Sequence, residues 1–164
     1  MSAVTHSGKA TVTLQGDRSI LIEREFDAPK HLVYEAVTKP ELVRLWWGAQ
    51  RGEGVTAEAD LRVGGKWRYV MQAGDQEVGF HGEYRELVPG ERIVSTELFE
   101  APFLTEEDAS VNTVTLTERD GKTHMSVLCE YRLPEHRDGV IASGMEGGMQ
   151  ESYDALEEVA RSLR

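Results

Sequence analysis

Residues 27–50, DAPKHLVYEAVTKPELVRLWWGAQ, decide the fold. Apolar residues recur here at helical spacing, so that Leu32 and Ala36 fall on one face. Proline disfavours the helical conformation in the residue before it, which ends a first helix near Thr38 and lets a second begin at Pro40. The segment therefore predicts two short helices in succession.

Two adjacent tryptophans, Trp46 and Trp47, end this segment. Neighbouring positions on a helix point about 100 degrees apart, so the two rings cannot share a face. Trp46 continues the apolar face of Leu42 and Leu45 and is predicted to lie in the core. Trp47 precedes Gly48 at the helix end, and both a core position and the rim of a ligand site are open to it.

The chain has strand periodicity on both sides of this segment. Residues 10–26 alternate between apolar and polar, with a turn at Gly16-Asp17. Residues 55–133 alternate almost throughout, and Asp120-Gly121 gives the strongest hairpin signal. From about residue 138 to residue 163 the apolar residues return to helical spacing, which predicts one long closing helix.

This order of elements predicts an α+β fold in a single domain over residues 1–164, with residues 1–9 as a flexible lead-in. A curved antiparallel sheet of about six or seven strands would wrap around the C-terminal helix, with the two short helices after the first strand. A strongly curved sheet cannot contact one helix along its whole surface. We therefore expect space between sheet and helix, either filled by large side chains or left as a cavity.

Composition argues against several classes of function. The chain has 29 acidic and 18 basic residues, and its basic residues form no run, so nucleic acid is not an expected partner. No apolar run is long enough to span a bilayer, and the N-terminus lacks the pattern of a secretory signal. Cys129 is the only cysteine and lies among apolar residues, which indicates a buried, inert thiol and a cytoplasmic location.

Two predicted strands carry aromatic residues on one face. Trp67, Tyr69 and Met71 alternate along the first strand, and Phe80 and Tyr84 along the second. Such a face forms either a solid core or the wall of a cavity, and composition does not separate the two. Buried tyrosine hydroxyls need hydrogen-bond partners, and these hydroxyls could orient the polar group of a ligand.

The closing helix combines methionines with glycines. Met145 and Met149 lie four residues apart, and their unbranched side chains either fill gaps or adapt to varied shapes. Gly144, Gly147 and Gly148 each destabilise a helix by about 0.5–1 kcal/mol relative to alanine. Their presence indicates close backbone packing, a bend or access to a cavity.

Four side chains are candidates for acid–base chemistry: His81, Glu83, Glu97 and His124. His81 and Glu83 share the face opposite the aromatic residues of their strand, which favours a solvated polar face over an active site. The sequence contains no metal-ligand spacing, no phosphate loop and no convincing set of nucleophile, base and acid. No catalytic residue, metal or cofactor is therefore predicted.

Four segments, taken together, resemble a known family. They are FDAPKHLVYEAVTKPELVRLWWGAQ (26–50), DLRVGGKWRYVM (60–71), FHGEYRELVPGERIV (80–94) and GMEGGMQESYDALEEV (144–159). Their order and spacing are typical of the activator of heat-shock-protein ATPase homologue-like (AHSA-type) family, and the resemblance covers about residues 18–163. That family belongs to the START-like, or SRPBCC, superfamily, which also contains polyketide cyclases and the birch pollen allergen.

The resemblance implies a helix-grip fold with an internal hydrophobic cavity that commonly binds lipid-like or polycyclic molecules. It favours the cavity wall for the aromatic face. The residues then predicted to line the cavity are Trp46, Trp47, Trp67, Tyr69, Met71, Phe80, Tyr84, Tyr131, Met145, Met149 and Tyr153. Family members often carry tryptophan at the position of Met149 and leucine at that of Tyr153, so the shape of the cavity is not transferable from a relative.

The leading hypothesis is therefore a binding module that encloses a small hydrophobic molecule for carriage, sequestration or resistance. One alternative is an enzyme of the cyclase or hydrolase type that acts on a hydrophobic carbonyl compound in the same cavity. Another is a partner protein that regulates the ATPase of a chaperone, as the family name suggests. The protein is expected to be a monomer or, through an exposed edge strand, a homodimer.

Overall fold

The computed structural model describes residues 9–49 and 54–164. The strands are β1 Thr11–Gln15, β2 Ser19–Phe26, β3 Val55–Ala59, β4 Lys66–Ala73, β5 Gln76–Val88, β6 Arg92–Phe99, β7 Ser110–Arg119 and β8 Lys122–Glu130. They form one sheet in the order β1-β2-β8-β7-β6-β5-β4-β3, in which every neighbouring pair is antiparallel. All but the last residue of the predicted lead-in lies outside the described residues.

The sheet has eight strands, where the sequence predicts about six or seven. The short strands β1 and β3 complete the two edges. The β7–β8 hairpin turns at the predicted dipeptide, where Asp120 and Gly121 have φ angles of 55° and 78°. Two successive positive φ angles give the backbone twist that matches a tight antiparallel hairpin.

The helices are α1 Lys30–Thr38, α2 Pro40–Val43, α3 Pro134–Ala142 and α4 Met145–Ser162, with short 3-10 turns at Trp47–Ala49 and Glu106–Asp108. The two short helices before the main run of strands are confirmed. The closing segment is divided into two helices, because Gly144 adopts a left-handed conformation with φ 77° between α3 and α4. In the described part of the chain, no helix is both long and apolar enough to cross a membrane.

The core lies between the inner face of the sheet, α1 and α4. Its buried residues include Ile20, Ile22, Phe26, Val33, Ala36, Val43, Trp46, Leu116, Met125, Leu156 and Ala160. The sheet contributes alternate residues of each strand, and α4 contributes one apolar stripe. This arrangement of a curved antiparallel sheet around a C-terminal helix is the helix-grip fold.

Candidate functional site

The residues predicted for a ligand cavity on the strands share one face of the sheet. Across β4 and β5, Tyr69 pairs with Phe80 and Trp67 pairs with Gly82. Since directly opposed residues project to the same side, these side chains lie on one face with Tyr84, two residues after Gly82. The aromatic face is the inner one, because Trp67 and Tyr84 are buried in the hydrophobic interior.

The inner face has a tightly filled region, which we call the packed end. It consists of Phe26, Leu116, Met125, Leu156 and Ala160, each at most 2% exposed. These residues come from β2, β7, β8 and the C-terminal half of α4. They form the part of the interior in which sheet and helix are in full contact.

Another region of the inner face has side chains that are less deeply buried, and we call it the open end. Several side chains here face the interior and yet remain half-buried, so solvent-sized space adjoins them. They are Trp47, Tyr69, Phe80, Ser95, Glu97, Asn112, Tyr131, Met145, Met149 and Tyr153. The side chains at this end of the inner face are thus less deeply buried than those of the packed end.

The two adjacent tryptophans occupy different environments. Trp46 is buried in the core, and its indole nitrogen donates a hydrogen bond to the carbonyl oxygen of Ala36 at 2.8 Å. Trp47 is half-buried and packs edge-on against Tyr69 and Phe80, with ring centroids 5.5 and 5.4 Å apart. Trp47 therefore belongs with Tyr69 and Phe80 to a row of rings at the open end, which we call the aromatic wall.

The aromatic wall continues from Trp47 in both directions. Trp67 lies 4.7 Å from Tyr69 between ring centroids, and Phe80 lies 5.3 Å from Phe99. Phe99 is 40% exposed, so the row of rings reaches from solvent to the buried interior. These two pairs are tilted, whereas Trp47 meets Tyr69 and Phe80 edge-on, and aromatic pairs in such geometries stabilise one another.

Helix α4 supplies the opposite wall. Met145, Met149 and Tyr153 are half-buried and pack against the core at spacings of four residues. The ring of Tyr153 also contacts Phe26 edge-on at 5.9 Å, which joins the open end to the packed end. Flexible thioethers on one wall and rigid rings on the other make a surface that suits apolar molecules.

A polar cluster lies within this apolar surface. The side-chain amide of Asn112 donates a hydrogen bond to Oε1 of Glu97 at 3.0 Å, between β7 and β6. The hydroxyl of Ser110 lies 3.1 Å from Oδ1 of the same asparagine. Ser95 pairs with Asn112 on the inner face, so the cluster gathers four polar side chains.

Burial sets the protonation chemistry of this cluster. Removal from water raises the pKa of Glu97, and the hydrogen bond from Asn112 opposes that rise. Burial likewise raises the pKa values of the Tyr69, Tyr131 and Tyr153 hydroxyls, and the negative charge of Glu97 adds to each rise. Three phenols and one carboxyl therefore lie close enough to interact, with the phenols held neutral.

Cys129 faces the same cluster. Burial raises the pKa of this thiol to about 12, and the nearby charge of Glu97 adds to the effect. The predicted buried, unreactive thiol is confirmed, because a group with such a pKa supplies almost no thiolate near neutral pH.

The other candidate acid–base residues lie outside. The ring nitrogens of His81 are 2.7 Å from the carboxylates of Glu100 and Glu106, on the outer face of β5. Glu100 also accepts two hydrogen bonds from Arg68, which hold its pKa near 2. His124 is exposed beside Glu23. These contacts connect the loop after β6 to the sheet and leave the open end without a histidine on β5.

Glu97 is one of the four predicted acid–base candidates but is not among the predicted cavity residues. The missed signal is the alternation of the ERIVSTELFE strand, which places Glu97 in step with Ile93 and Phe99 on one face. The partner Asn112 was missed altogether, because it comes from the following strand and only the register of β6 with β7 brings it near.

Two surface depressions lie apart from the aromatic wall. One, of about 440 Å³, is lined by residues of α1, the β3–β4 connection and the β5–β6 turn, including Tyr34, Leu61 and Pro89. The other, of about 400 Å³, adjoins Tyr131 at the end of β8. Neither is lined by Glu97, so the polar cluster belongs to the interior and not to these depressions.

Solved structures from several bacteria share this fold. A protein from Rhodobacter sphaeroides superposes with a TM-score of 0.82 at 24% identity, over 95% of this chain and 100% of that one. A protein from Chromobacterium violaceum has a TM-score of 0.73 at 28% identity, over 88% and 98% of the two chains. A protein from Mycobacterium smegmatis has a TM-score of 0.77 at 23% identity, over 92% and 96%.

Comparison with functionally curated proteins gives no match. The family model of Activator of Hsp90 ATPase homolog 1-like proteins matches residues 27–161. This match spans α1 to nearly the end of α4, and thus includes every strand from β3 to β8. The chain therefore belongs to the family of Activator of Hsp90 ATPase homolog 1-like proteins.

Proposed function

We propose that this protein binds a small, largely apolar molecule at the open end, between the aromatic wall and α4. The ligand would be held for carriage, sequestration or resistance. The predicted cavity residues Trp47, Tyr69, Phe80, Met149 and Tyr153 would form most of the contact surface. The family supports a ligand-binding or related function in general, and the burial pattern of the inner face suggests the place.

The observation that carries the proposal is the contrast between the two ends of the inner face. Phe26 and Leu156 at the packed end are fully buried, whereas Tyr69 and Met149 face the same interior and remain half-buried. Interiors are normally close-packed, and apolar side chains gain free energy by losing contact with water. A space lined by apolar and aromatic side chains therefore favours an apolar guest.

Titration with an uncharged fluorescent probe, N-phenyl-1-naphthylamine, tests the proposal directly. Enhanced probe emission, together with a decrease in tryptophan emission through energy transfer to the bound probe, is the expected result. The ring of Trp47 is in contact with Tyr69 and Phe80, so a guest at this wall changes its surroundings. Absence of probe binding by the folded protein would exclude the proposal.

A steric variant locates the bound molecule. Met149→Trp places a large ring in the open end and is expected to weaken probe binding at least about tenfold, by removing the space for the guest. Ile141→Trp adds the same ring at an exposed position of α3 and serves as the matched control. Equal affinity of both variants would place the ligand elsewhere.

Glu97 supports a second candidate function, acid–base catalysis on a hydrophobic carbonyl compound. Its carboxyl lies on the inner face with a pKa raised by burial, and a raised pKa makes a carboxyl a better general acid or base than a solvated one. A panel of aromatic esters and lactones, compared between wild type and Glu97→Gln, tests this candidate. Turnover that is equal in both proteins would remove it.

A further inference from the structure

Among residues 9–49 and 54–164, no cationic side chain forms an ion pair with the carboxyl of Glu97. Asn112 occupies Oε1, and among residues 9–49 and 54–164 no hydrogen bond reaches Oε2. Glu97 is also the only charged side chain on the inner face of β4, β5 and β6 within the described residues. A carboxylate removed from water is costly unless an opposite charge accompanies it.

The one cation on the inner face in the described part of the chain is already committed. Arg24 of β2 is fully buried and donates to Asp154 at 2.8 Å and to Glu157 at 2.7 Å, on α4. Its guanidinium also lies 4.9 Å from the ring centroid of Phe26, at the packed end. Arg24 therefore neutralises two other carboxylates and is held in place by them.

Aromatic rings surround Glu97 on several elements. Tyr69 comes from β4, Tyr131 follows β8 and Tyr153 comes from α4, and the charge of Glu97 acts on all three. Their hydroxyls stay neutral, so they supply no positive charge. The faces of aromatic rings attract cations, most strongly where water is excluded.

We propose that the molecule bound at the open end carries a positively charged amine, which pairs with the Glu97 carboxylate while its apolar body lies against the aromatic wall. This inference rests on the proposed binding function and narrows its ligand class. It disfavours fatty acids and other apolar carboxylates, because Glu97 would repel their charge and Arg24, the inner-face cation of the described residues, is already paired. The net charge of −11 also draws cations toward the protein and repels anions.

Three ligands with one apolar body and different polar groups test the inference: 1-adamantanamine, 1-adamantanol and 1-adamantanecarboxylate. Their rigid cage does not absorb near tryptophan, so affinity is followed by tryptophan emission and by calorimetry. We expect wild type to bind the amine at least about tenfold more tightly than the alcohol, and the carboxylate most weakly, as a charge-assisted hydrogen bond in a dry site predicts.

Glu97→Gln keeps the shape of the side chain and removes its charge, so the preference for the amine should disappear while the alcohol binds as before. Glu83→Gln makes the same change on the outer face of β5 and should preserve the preference. Circular dichroism and binding of the uncharged probe confirm that each variant is folded.

The pH dependence of wild type provides a test that needs no variant. Protonation of Glu97 removes its charge, so affinity for the amine should fall as pH decreases toward about 4.5, whereas affinity for the alcohol should stay constant. The other titratable groups that face Glu97 are Tyr69, Tyr131, Tyr153 and Cys129, which all remain neutral in this range.

The two proposals fail in different ways. If the uncharged probe binds but the amine is not preferred over the alcohol, or if Glu97→Gln retains the preference, the amine inference is overturned and binding stands. If neither the probe nor any adamantane compound binds, the binding function itself is excluded, and the inference with it.

Discussion

Trp67 and Gly82 are opposed across β4 and β5, and the indole nitrogen of Trp67 lies 2.7 Å from the point that a Cβ atom of residue 82 would occupy. The carbonyl oxygen of Thr96 lies 1.8 Å from the same point, on the other side of β5. Both distances are too short for any side chain. The glycine is therefore required by the approach of an indole ring and a neighbouring backbone.

Gly82→Ala is accordingly expected to destabilise the protein by about 3 kcal/mol or more, because backbone or indole must move to admit a methyl group. Urea unfolding followed by circular dichroism measures the change. Gly139→Ala in α3, where no atom lies within 4 Å of the new Cβ, is the control and should be neutral or slightly stabilising. An unchanged free energy of unfolding in Gly82→Ala would show that the backbone or the indole ring moves aside at no cost.

Gly147 and Gly148 of α4 lead to a different expectation. A Cβ added at either residue would meet no atom within 4 Å. Close backbone packing, one of the three explanations inferred from the sequence for these glycines, is therefore wrong for both. Gly147→Ala is expected to stabilise the protein by about 0.5–1 kcal/mol through helix propensity alone. Thermal unfolding of the variant checks this, and a loss of stability would indicate a role for backbone freedom at this turn of α4.

The buried ion pair of Arg24 with Glu157 predicts a large effect. Arg24→Met should lower the free energy of unfolding by about 3–5 kcal/mol, because Glu157, which is 1% exposed, then keeps a buried charge without the Arg24 guanidinium. Adding Glu157→Gln should recover part of the loss. Arg62→Met, at an exposed pair with Asp60, should change the free energy of unfolding by at most about 1 kcal/mol. Equal losses of stability in Arg24→Met and Arg62→Met would contradict this prediction.

Glu97 should make folding stability depend on pH in a specific direction. Its pKa in the folded protein is raised from the ordinary value of 4.5, so the folded state binds more protons and stability falls as pH rises through the folded pKa. Glu97→Gln removes this pH-dependent contribution to folding stability. The variant should be more stable than wild type near pH 8, and the difference in the free energy of unfolding should close near pH 4. A gap that is independent of pH would refute the assignment.

His81 on the outer face predicts a pH dependence of stability in the same direction, but here the charged form is the favourable one. Burial opposes its charge, but hydrogen bonds to Glu100 and Glu106 raise its pKa above the ordinary value of 6.5. The stabilisation is therefore complete below that value and is lost as pH rises through the folded pKa. His81→Gln should reduce amide protection of residues 106–108 at about pH 5.5 and change it little at about pH 8.5. Hydrogen exchange at the two pH values measures this.

Local patterns in the sequence identified most of the fold. The proline at residue 40 separated two helices, and Asp120-Gly121 located a hairpin, because both effects act within a few residues. Alternation assigned His81 and Tyr84 to opposite faces of β5. The break at Gly144 was not predicted, since helical periodicity continues across it and only the positive φ angle reveals it.

The polar cluster was harder to predict, because it depends on contacts between distant segments. Glu97 acquires its raised pKa from burial, and its hydrogen bond comes from Asn112, fifteen residues later along the chain. No local pattern reports which strands will be neighbours or how far α4 covers them. The difference between Trp46 and Trp47 likewise depends on the Ala36 carbonyl, which accepts a hydrogen bond from only the first of them.

If a molecule binds at the open end as proposed, the two ends of the interior separate the determinants of folding from those of recognition. Substitutions at Tyr69 or Met149 would then alter the surface offered to that molecule, whereas the fully buried contacts of Phe26 and Leu156 are left intact. Members of one lineage can thus diverge in the molecules they accept at little thermodynamic cost to the scaffold. Sequence differences among such proteins are then expected to concentrate on β4, β6 and the first half of α4.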